Sequence, residues 1–351
     1  ILLFLENSYQ NQKTLSTPPP SPYKPSSEKT RFRESGITPR HNYHCRFLLH
    51  YRNRDAFSSW KSQQNSVSLR KITSSKRLDL PIRMNNYNNI NISERDKLLG
   101  FEPDKHIYTY QGKELASTSS VISSQFPEFD TEKWSAIKAN ERGVPQQKVK
   151  DEWEMSGLKA TTTGTFMHEQ IENTLLGNEV KHSFHFSHHT AYVNCDEEIS
   201  INHELSLFRQ FLDRNPLTPF RSEWHIFDED TMIAGTIDLV TRNAKGEYEM
   251  WDWKRSGNIG KEWGTKFNIA SNRFQHGFGK LAVLDDTSYN HYLLQQNMYA
   301  YLLKKHYNIV LKRMSLVVIH PSNKYYHILE LPNREDLILT LIAQYKASTG
   351  K

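Results

Sequence analysis

Cysteine is nearly absent from this chain: Cys45 and Cys195 are the two in 351 residues. Two thiols so far apart cannot build a disulfide scaffold, a four-cysteine zinc site or a four-cysteine iron–sulfur cluster on their own, which points to a reducing, intracellular compartment. Long apolar runs are also missing. The stretch from Ile1 to Leu5 is too short for a signal-peptide core, and nothing later approaches the ~18–20 apolar residues of a membrane span, so no membrane partner is expected. Acidic residues are scarce only at the start. Residues 1–83 carry 15 Lys and Arg against 5 Asp and Glu, and the remainder carries 30 against 34. The net charge of +6 and the pI near 9.0 therefore belong to the leader. Bulk charge gives no argument for nucleic-acid binding by the rest, and any such argument must come from a site.

What the first 83 residues do have is Pro18-Pro19-Pro20-Ser21-Pro22, scattered Ser, Asn, Gln and Arg, and no sustained period of 3.6 or 2. That composition predicts disorder. The first methionine is Met84, and the first stretch that behaves like a domain follows it. Translation is accordingly expected to start at Met84, with residues 1–83 as upstream sequence and 84–351 as one folded domain. The rival reading is an organelle transit segment, which is also basic, rich in serine and poor in acids.

Past Met84 the pattern is mixed. A short helix-like stretch at 93–99 is followed by a hairpin, 106–110 and 114–117, around Gln111-Gly112. Helices are predicted over 131–141 and 146–155, separated by Gly143-Val144-Pro145, and then over 165–176, stopped by Gly177. A polar, histidine-rich interval reads as loop, and a helix is predicted from about 198 to 215. The period then changes to 2: 222–228, 232–242 and 248–254 predict three successive antiparallel strands. A helix over 289–306, strands at 314–320 and 325–331 and a closing helix over 334–347 complete an α/β arrangement, a central mixed sheet flanked by helices.

Chemistry concentrates on the three strands. Asp252 and Lys254 are two residues apart, so both point to one face, while Trp251 and Trp253 occupy the other. Asp238 ends the run Ile233-Ala234-Gly235-Thr236-Ile237, and an antiparallel meander can bring it beside Asp252. Two carboxylates held so close resist full ionisation unless a cation lies between them, and hard oxygen donors favour Mg²⁺ or Mn²⁺ over zinc. A lysine there can orient or help deprotonate a water and offset charge on an attacked phosphate.

The wider spacing resembles the PD-(D/E)xK nuclease superfamily, in its RecB-like and lambda-exonuclease-like branch. The matching residues are Gly164 to His168 as GxxxH, Glu223 on the preceding strand, Gly235 to Asp238 as GxxD, Asp252 to Lys254 as DxK, and Gln295 to Tyr299 as QxxxY. This resemblance implies a restriction-endonuclease-like core of order αβββαβ with a helical N-terminal part. It implies Asp238 and Asp252 as metal ligands, with Glu223, His168 and the Trp253 carbonyl as further ligands. Lys254 would position the nucleophilic water, and Gln295 and Tyr299 would hold Lys254 or a phosphate. Arg255 and Ser256 are candidates for the nucleic-acid backbone.

The implied activity is a Mg²⁺- or Mn²⁺-dependent DNA exonuclease of recombination, repair or replication. It would carry no iron–sulfur cluster, since the four cysteines of cluster-bearing members are absent. Gly257 to Lys261 departs from a phosphate-binding loop, so no helicase motor is fused, and a separate helicase or recombination protein is the expected partner besides DNA. The expected location is cytoplasmic or nucleoid-associated. The alternatives are an RNA-cutting or endonucleolytic member of the same fold, or a binding module without catalysis. Blander readings stand beside each residue: His168 as a satisfied helix histidine, Gln295 and Tyr299 as the flank of an apolar stripe, and His182, His185, His188 and His189 as surface. Trp263, Phe267, Phe274 and Phe278, interleaved with Lys261, Lys266, Arg273 and Lys280, read equally as a base-stacking strip or as a loop packed on the core.

Overall fold

The computed structural model describes residues 87–103, 105–257 and 275–350, and the backbone of two short strands at 262–263 and 266–267. The basic leader, Cys45, Met84 and most of the interleaved aromatic segment lie outside the described residues. The helices are α1 (Tyr87–Ile90), α2 (Thr118–Ser123), α3 (Thr131–Arg142), α4 (Gln146–Leu176), α5 (Asn202–Arg214), α6 (Ser288–Tyr307) and α7 (Glu335–Thr349). The strands are β1 (Leu99–Glu102), β2 (Ile107–Tyr110), β3 (Lys113–Ser117), β4 (Ser183–His189), β5 (Asn194–Ser200), β6 (Pro219–Asp228), β7 (Ile233–Arg242), β8 (Tyr248–Lys254), β9 (Glu262–Trp263), β10 (Lys266–Phe267), β11 (Leu311–Val318) and β12 (His327–Leu331). Among the described residues, no helix is long and apolar enough to cross a membrane.

An eight-stranded mixed sheet organises the chain, in the order β1-β2-β3-β7-β8-β11-β12, with β6 on the other side of β7. Strands β6, β7 and β8 form the expected antiparallel meander, while β11 joins β8 in parallel and β3 joins β7 in parallel. Both faces are covered. Met314, Leu316 and Val318 of β11 join one core with α6, α2 and α7, and Val317 and Ile319 join the other with α4, α5 and β4. That alternation is the period of two of a strand buried on both sides.

Four segments differ from the sequence expectation, each for a physical reason. The two helices placed at 146–155 and 165–176 are one helix of 31 residues, α4. Gly157 and Gly164 weaken a helix by about 1 kcal/mol each but do not stop it. Packing pays for both: Val149 and Trp153 join a small core with α3, and Phe166, Met167, Ile171 and Leu175 join the core under the sheet. The histidine-rich interval is no loop but the hairpin β4–β5, whose inward residues Phe184, Phe186 and Ile199 alternate with the polar ones. The next helix consequently starts at Asn202 rather than near Glu198. The stretch after Ser93 is a 3₁₀ turn, Glu94–Leu98, closed by a capping box between Ser93 and Asp96, and its last predicted residue already belongs to β1.

The outer edge of β6 is covered by side chains of the N-terminal turn. Asn88 accepts from the Ser222 N–H, Asn91 donates to the Phe220 carbonyl, and Arg95 donates to the Phe227 carbonyl. An edge strand satisfied in this way offers no ladder to another chain.

Candidate functional site

The sheet opens at one point along β7. Strand β3 pairs with it only as far as Ala234, and β8 joins it only from Leu239 onward. Between these, residues from the two faces of the sheet can approach one another. Two backbone irregularities mark the opening. Glu223, opposite Asp238 in the register, has φ of +43°, a left-handed conformation that costs a side-chain-bearing residue on the order of 1–3 kcal/mol and is concentrated at functional sites. Ile233 and Ile237 join one core as strand alternation requires, but so does Val240, an odd step of three from Ile237 that a straight strand does not produce, so β7 twists through at Asp238.

The parting of β7 and β8 places Asp238 at the centre. Its Oδ2 accepts the backbone N–H of Trp253 at 2.8 Å and lies 3.4 Å from Nδ1 of His168, which comes from α4 on one face of the sheet. One donor atom from each of His168, Glu223 and Asp238 lies within 4.8 Å of the others, so these three could hold a metal ion. Asp252 takes a different position. Its Oδ2 is 2.6 Å from Nζ of Lys254, an ion pair without hydrogen-bond alignment, and its Oδ1 accepts from Nε2 of Gln296 at 2.7 Å. Lys254 in turn donates to Oε1 of Gln295 at 3.3 Å and lies 4.6 Å from the centre of the Tyr292 ring. Gln295 closes the chain by donating to the Tyr299 hydroxyl at 3.2 Å. The structure therefore brings His168, Glu223, Asp238, Asp252, Lys254, Gln295 and Tyr299 together, and leaves the Trp253 side chain out. That indole packs with Phe208 and Phe211 on the far side of the strand, and Trp253 reaches Asp238 through its backbone N–H.

Burial and proximity set the charges. Burial, with Asp238 beside it, pushes the Glu223 carboxyl up to about 8. Burial also raises Asp252, to about 6, since Lys254 offsets only part of it and Asp238 adds to it. For Asp238 burial works the same way, but His168, Lys254 and the Trp253 N–H outweigh it and hold the group below the usual carboxylate range. His168 is lifted to about 9, because Asp238 and Glu223 overcome the cost of burying its charge. Lys254 is raised as well, by Asp252 and Asp238 against burial, so it stands as an ammonium. Three carboxylates thus lie close together with too little positive charge to ionise all of them, an arrangement that could hold a cation.

Sequence patterns had not singled out Gln296, Tyr292 or Glu172. Helical spacing could have found two of them: Tyr292 precedes Gln295 by three residues, and Glu172 follows His168 by four, each on a shared face. Glu172 accepts from the Ser222 hydroxyl at 3.1 Å, and that hydroxyl also receives hydrogen bonds from Tyr87 and Asn88. Arg255 donates from Nε to Oε1 of the buried Glu204 at 2.9 Å, which ties its side chain to α5. Ser256 is buried. Of the interleaved aromatic and basic residues, Phe278 is half exposed, and its backbone is tied to Gln125 and Gln344. In the β4–β5 hairpin His185 pairs with Asp196, His189 pairs with Ser187 and Asn194, and His188 lies 3.9 Å from Glu154, while His182 pairs with Asn202.

No family model matches this chain, and no curated protein matches it. Among solved structures it is similar to SSO0001 at 12% identity, covering 66% of this chain and 74% of that one with a TM-score of 0.26. A likeness at that score carries no argument about fold or function.

Proposed function

We propose that this protein is a metal-dependent nuclease that hydrolyses phosphodiester bonds in DNA, built on a restriction-endonuclease-like core. The core would be α4, the meander β6–β8, α6 and β11, which follow the order αβββαβ of the superfamily the motifs resemble. The observation that carries the reading is the convergence of His168, Glu223 and Asp238 within 4.8 Å, with the Lys254–Asp252 pair on the adjoining strand.

The donor set suits a hard divalent cation. One imidazole nitrogen and two carboxylates converge at a point where the Glu223 carboxyl remains difficult to ionise, and a cation relieves that. Mg²⁺ or Mn²⁺ held by His168, Glu223 and Asp238, with Asp252 next to them, would supply Lewis-acid charge against the phosphate and a more acidic water. Lys254 enters as an ammonium rather than as a base. Its N–H groups can orient the attacking water and offset negative charge that develops on the phosphate oxygens. Gln295 accepts one of those N–H groups and Tyr299 accepts from Gln295, so the lysine is aimed by a relay anchored on α6. Asp252 keeps the lysine protonated, and Trp253 fixes Asp238 through its backbone N–H.

The choice of DNA, of free ends and of a separate helicase or recombination partner rests on the sequence resemblance. Incubating end-labelled linear DNA, closed circular DNA and RNA with Mg²⁺ or with EDTA, beside an Asp252→Ala control, tests all but the partner. Metal-dependent loss of linear DNA alone is expected. Cutting of the circle assigns an endonuclease, cleavage of RNA in its place assigns the RNA-cutting alternative, and DNA retention without cleavage assigns a binding module.

A further inference from the structure

Gln296 lies one position past Gln295, a rotation of about 100° around α6, so the two neighbouring amides address different groups. Gln295 faces Lys254 and Tyr299, whereas Gln296 donates to Oδ1 of Asp252 at 2.7 Å. The Gln296 side chain is 0% exposed, and its sequence neighbours Leu293, Leu294 and Met298 are all part of the core on this face of the sheet. Its Oε1 has no hydrogen-bond partner among the described residues. Burying an amide with its carbonyl unmatched carries a desolvation cost, which an apolar side chain would avoid only by leaving Oδ1 of Asp252 without a donor. The amide instead provides one fixed donor to one carboxylate oxygen. Being neutral, it holds that oxygen without cancelling its charge, which an arginine or lysine in the same place would do.

We propose that Gln296 is a positioning residue for Asp252: by fixing Oδ1 it sets the plane of the carboxylate and keeps Oδ2 against Lys254, beside Asp238, in the orientation that cation binding requires. Its metal readout stands on the geometry of the site, and its cleavage readout rests on the nuclease reading above. With Asp252 taken as a further donor beside His168, Glu223 and Asp238, removing the partner that orients it should change metal affinity or activity on the scale usual for such groups, about 10–100-fold.

The test compares the full chain with Gln296→Met, which keeps length and volume and loses the donor, by calorimetric titration with Mn²⁺, steady-state cleavage of linear DNA and thermal unfolding. Mn²⁺ affinity should weaken by about 10–100-fold. Turnover should fall with kcat while KM stays within about twofold of wild type, and the thermal midpoint should fall modestly, since loss of the unmatched carbonyl offsets part of the cost of leaving Oδ1 of Asp252 without its donor. Gln296→Asn, which keeps the amide but withdraws it by one methylene, should show the same losses and serves if the methionine variant does not fold. Mn²⁺ affinity and kcat within about twofold of wild type in both variants overturn the inference. So does a loss of affinity that tracks the fall in thermal midpoint from one variant to the other, which would identify a merely structural amide. A wild-type chain that binds Mn²⁺, responds to Gln296→Met and cleaves nothing supports the positioning role and removes the nuclease reading. A wild-type chain that binds no Mn²⁺ removes both.

Discussion

Lys254 is held by three groups of different character: a carboxylate, an amide and the face of a tyrosine ring. Such a cage fixes an ammonium in one place and leaves it protonated, which suits a donor to a developing charge. Replacing Lys254 with Ala should lower cleavage by at least about 10²-fold, the scale on which removal of a preorganised charge-stabilising donor is felt. The fold should survive, because Asp252, already raised to about 6, can protonate when its partner is gone. Far-UV circular dichroism with a cooperative melt, run beside the cleavage assay, checks both halves. Gly235 makes a second point at this scale. A Cβ there would stand 2.4 Å from Cε1 and 2.9 Å from the hydroxyl of Tyr299, so the GxxD glycine is required by the tyrosine of the QxxxY pair rather than by its own backbone conformation. Gly235→Ala should cost about 1–3 kcal/mol by overpacking and should lower activity by moving the ring that supports Gln295. Adding Tyr299→Leu should restore stability in urea titrations without restoring cleavage. Unaltered stability of Gly235→Ala would show that the ring has room to move.

Elements differ in how far a sequence discloses them. The meander was legible because alternation of apolar and charged residues, bounded by Glu229-Asp230 and by Asn243 to Gly246, leaves little else that 222–254 can form. The opening between β3 and β8 was not legible, since it depends on where β3 stops pairing, and no local pattern encodes that. The β4–β5 hairpin was hidden for another reason: four histidines dominated a stretch in which Phe184, Phe186 and Ile199 carry the structure. Likewise the motif residues announced Gln295 but not Gln296, because a glutamine gains its meaning from the strand it faces. Arg255 illustrates the same limit. Next to Lys254 it reads as a phosphate contact, yet it ties the end of β8 to the first turn of α5 through Glu204, whose side chain is 2% exposed. Removing one partner of so buried a pair leaves an uncompensated charge. Arg255→Met should therefore destabilise the protein by about 3–5 kcal/mol, whereas Arg255→Met with Glu204→Leu should be close to neutral. Chemical denaturation of the two variants measures the difference. A mild effect of the single variant, with lost DNA affinity, would return Arg255 to the binding surface.

At the scale of the whole molecule these charges imply a stability that passes through a maximum with pH. His225, hydrogen-bonded to Thr236 and beside His106, is held by burial at about 4, below its unfolded value near 6.5. The unfolded chain takes up that proton more readily, so this contribution is complete above about pH 6.5 and is lost as pH falls toward 4. Asp228, held low by Lys305, Thr231 and His306 against its burial, adds a further loss at still lower pH. The candidate metal centre acts in the opposite direction. Glu223 at about 8 and His168 at about 9 are both raised, so their protonated forms favour the folded state. The Glu223 contribution is lost between about pH 4.5 and 8, and that of His168 between about 6.5 and 9. In EDTA the thermal midpoint should accordingly peak near pH 6 and decline toward 9. A divalent cation needs Glu223 ionised and the His168 nitrogen free, the forms that burial and the neighbouring charges resist, so binding competes with protons at both residues. The rise in thermal midpoint on adding Mn²⁺ should therefore be small at pH 6 and large at pH 8. Glu223→Gln removes the acid without removing its volume. In EDTA that variant should lose much of the decline above pH 6, keeping the part due to His168, and it should respond weakly to Mn²⁺ at either pH. Melting curves from pH 5 to 9, with and without Mn²⁺, decide the matter: a Mn²⁺ effect independent of pH, or one retained by Glu223→Gln, would place the cation somewhere other than among His168, Glu223 and Asp238.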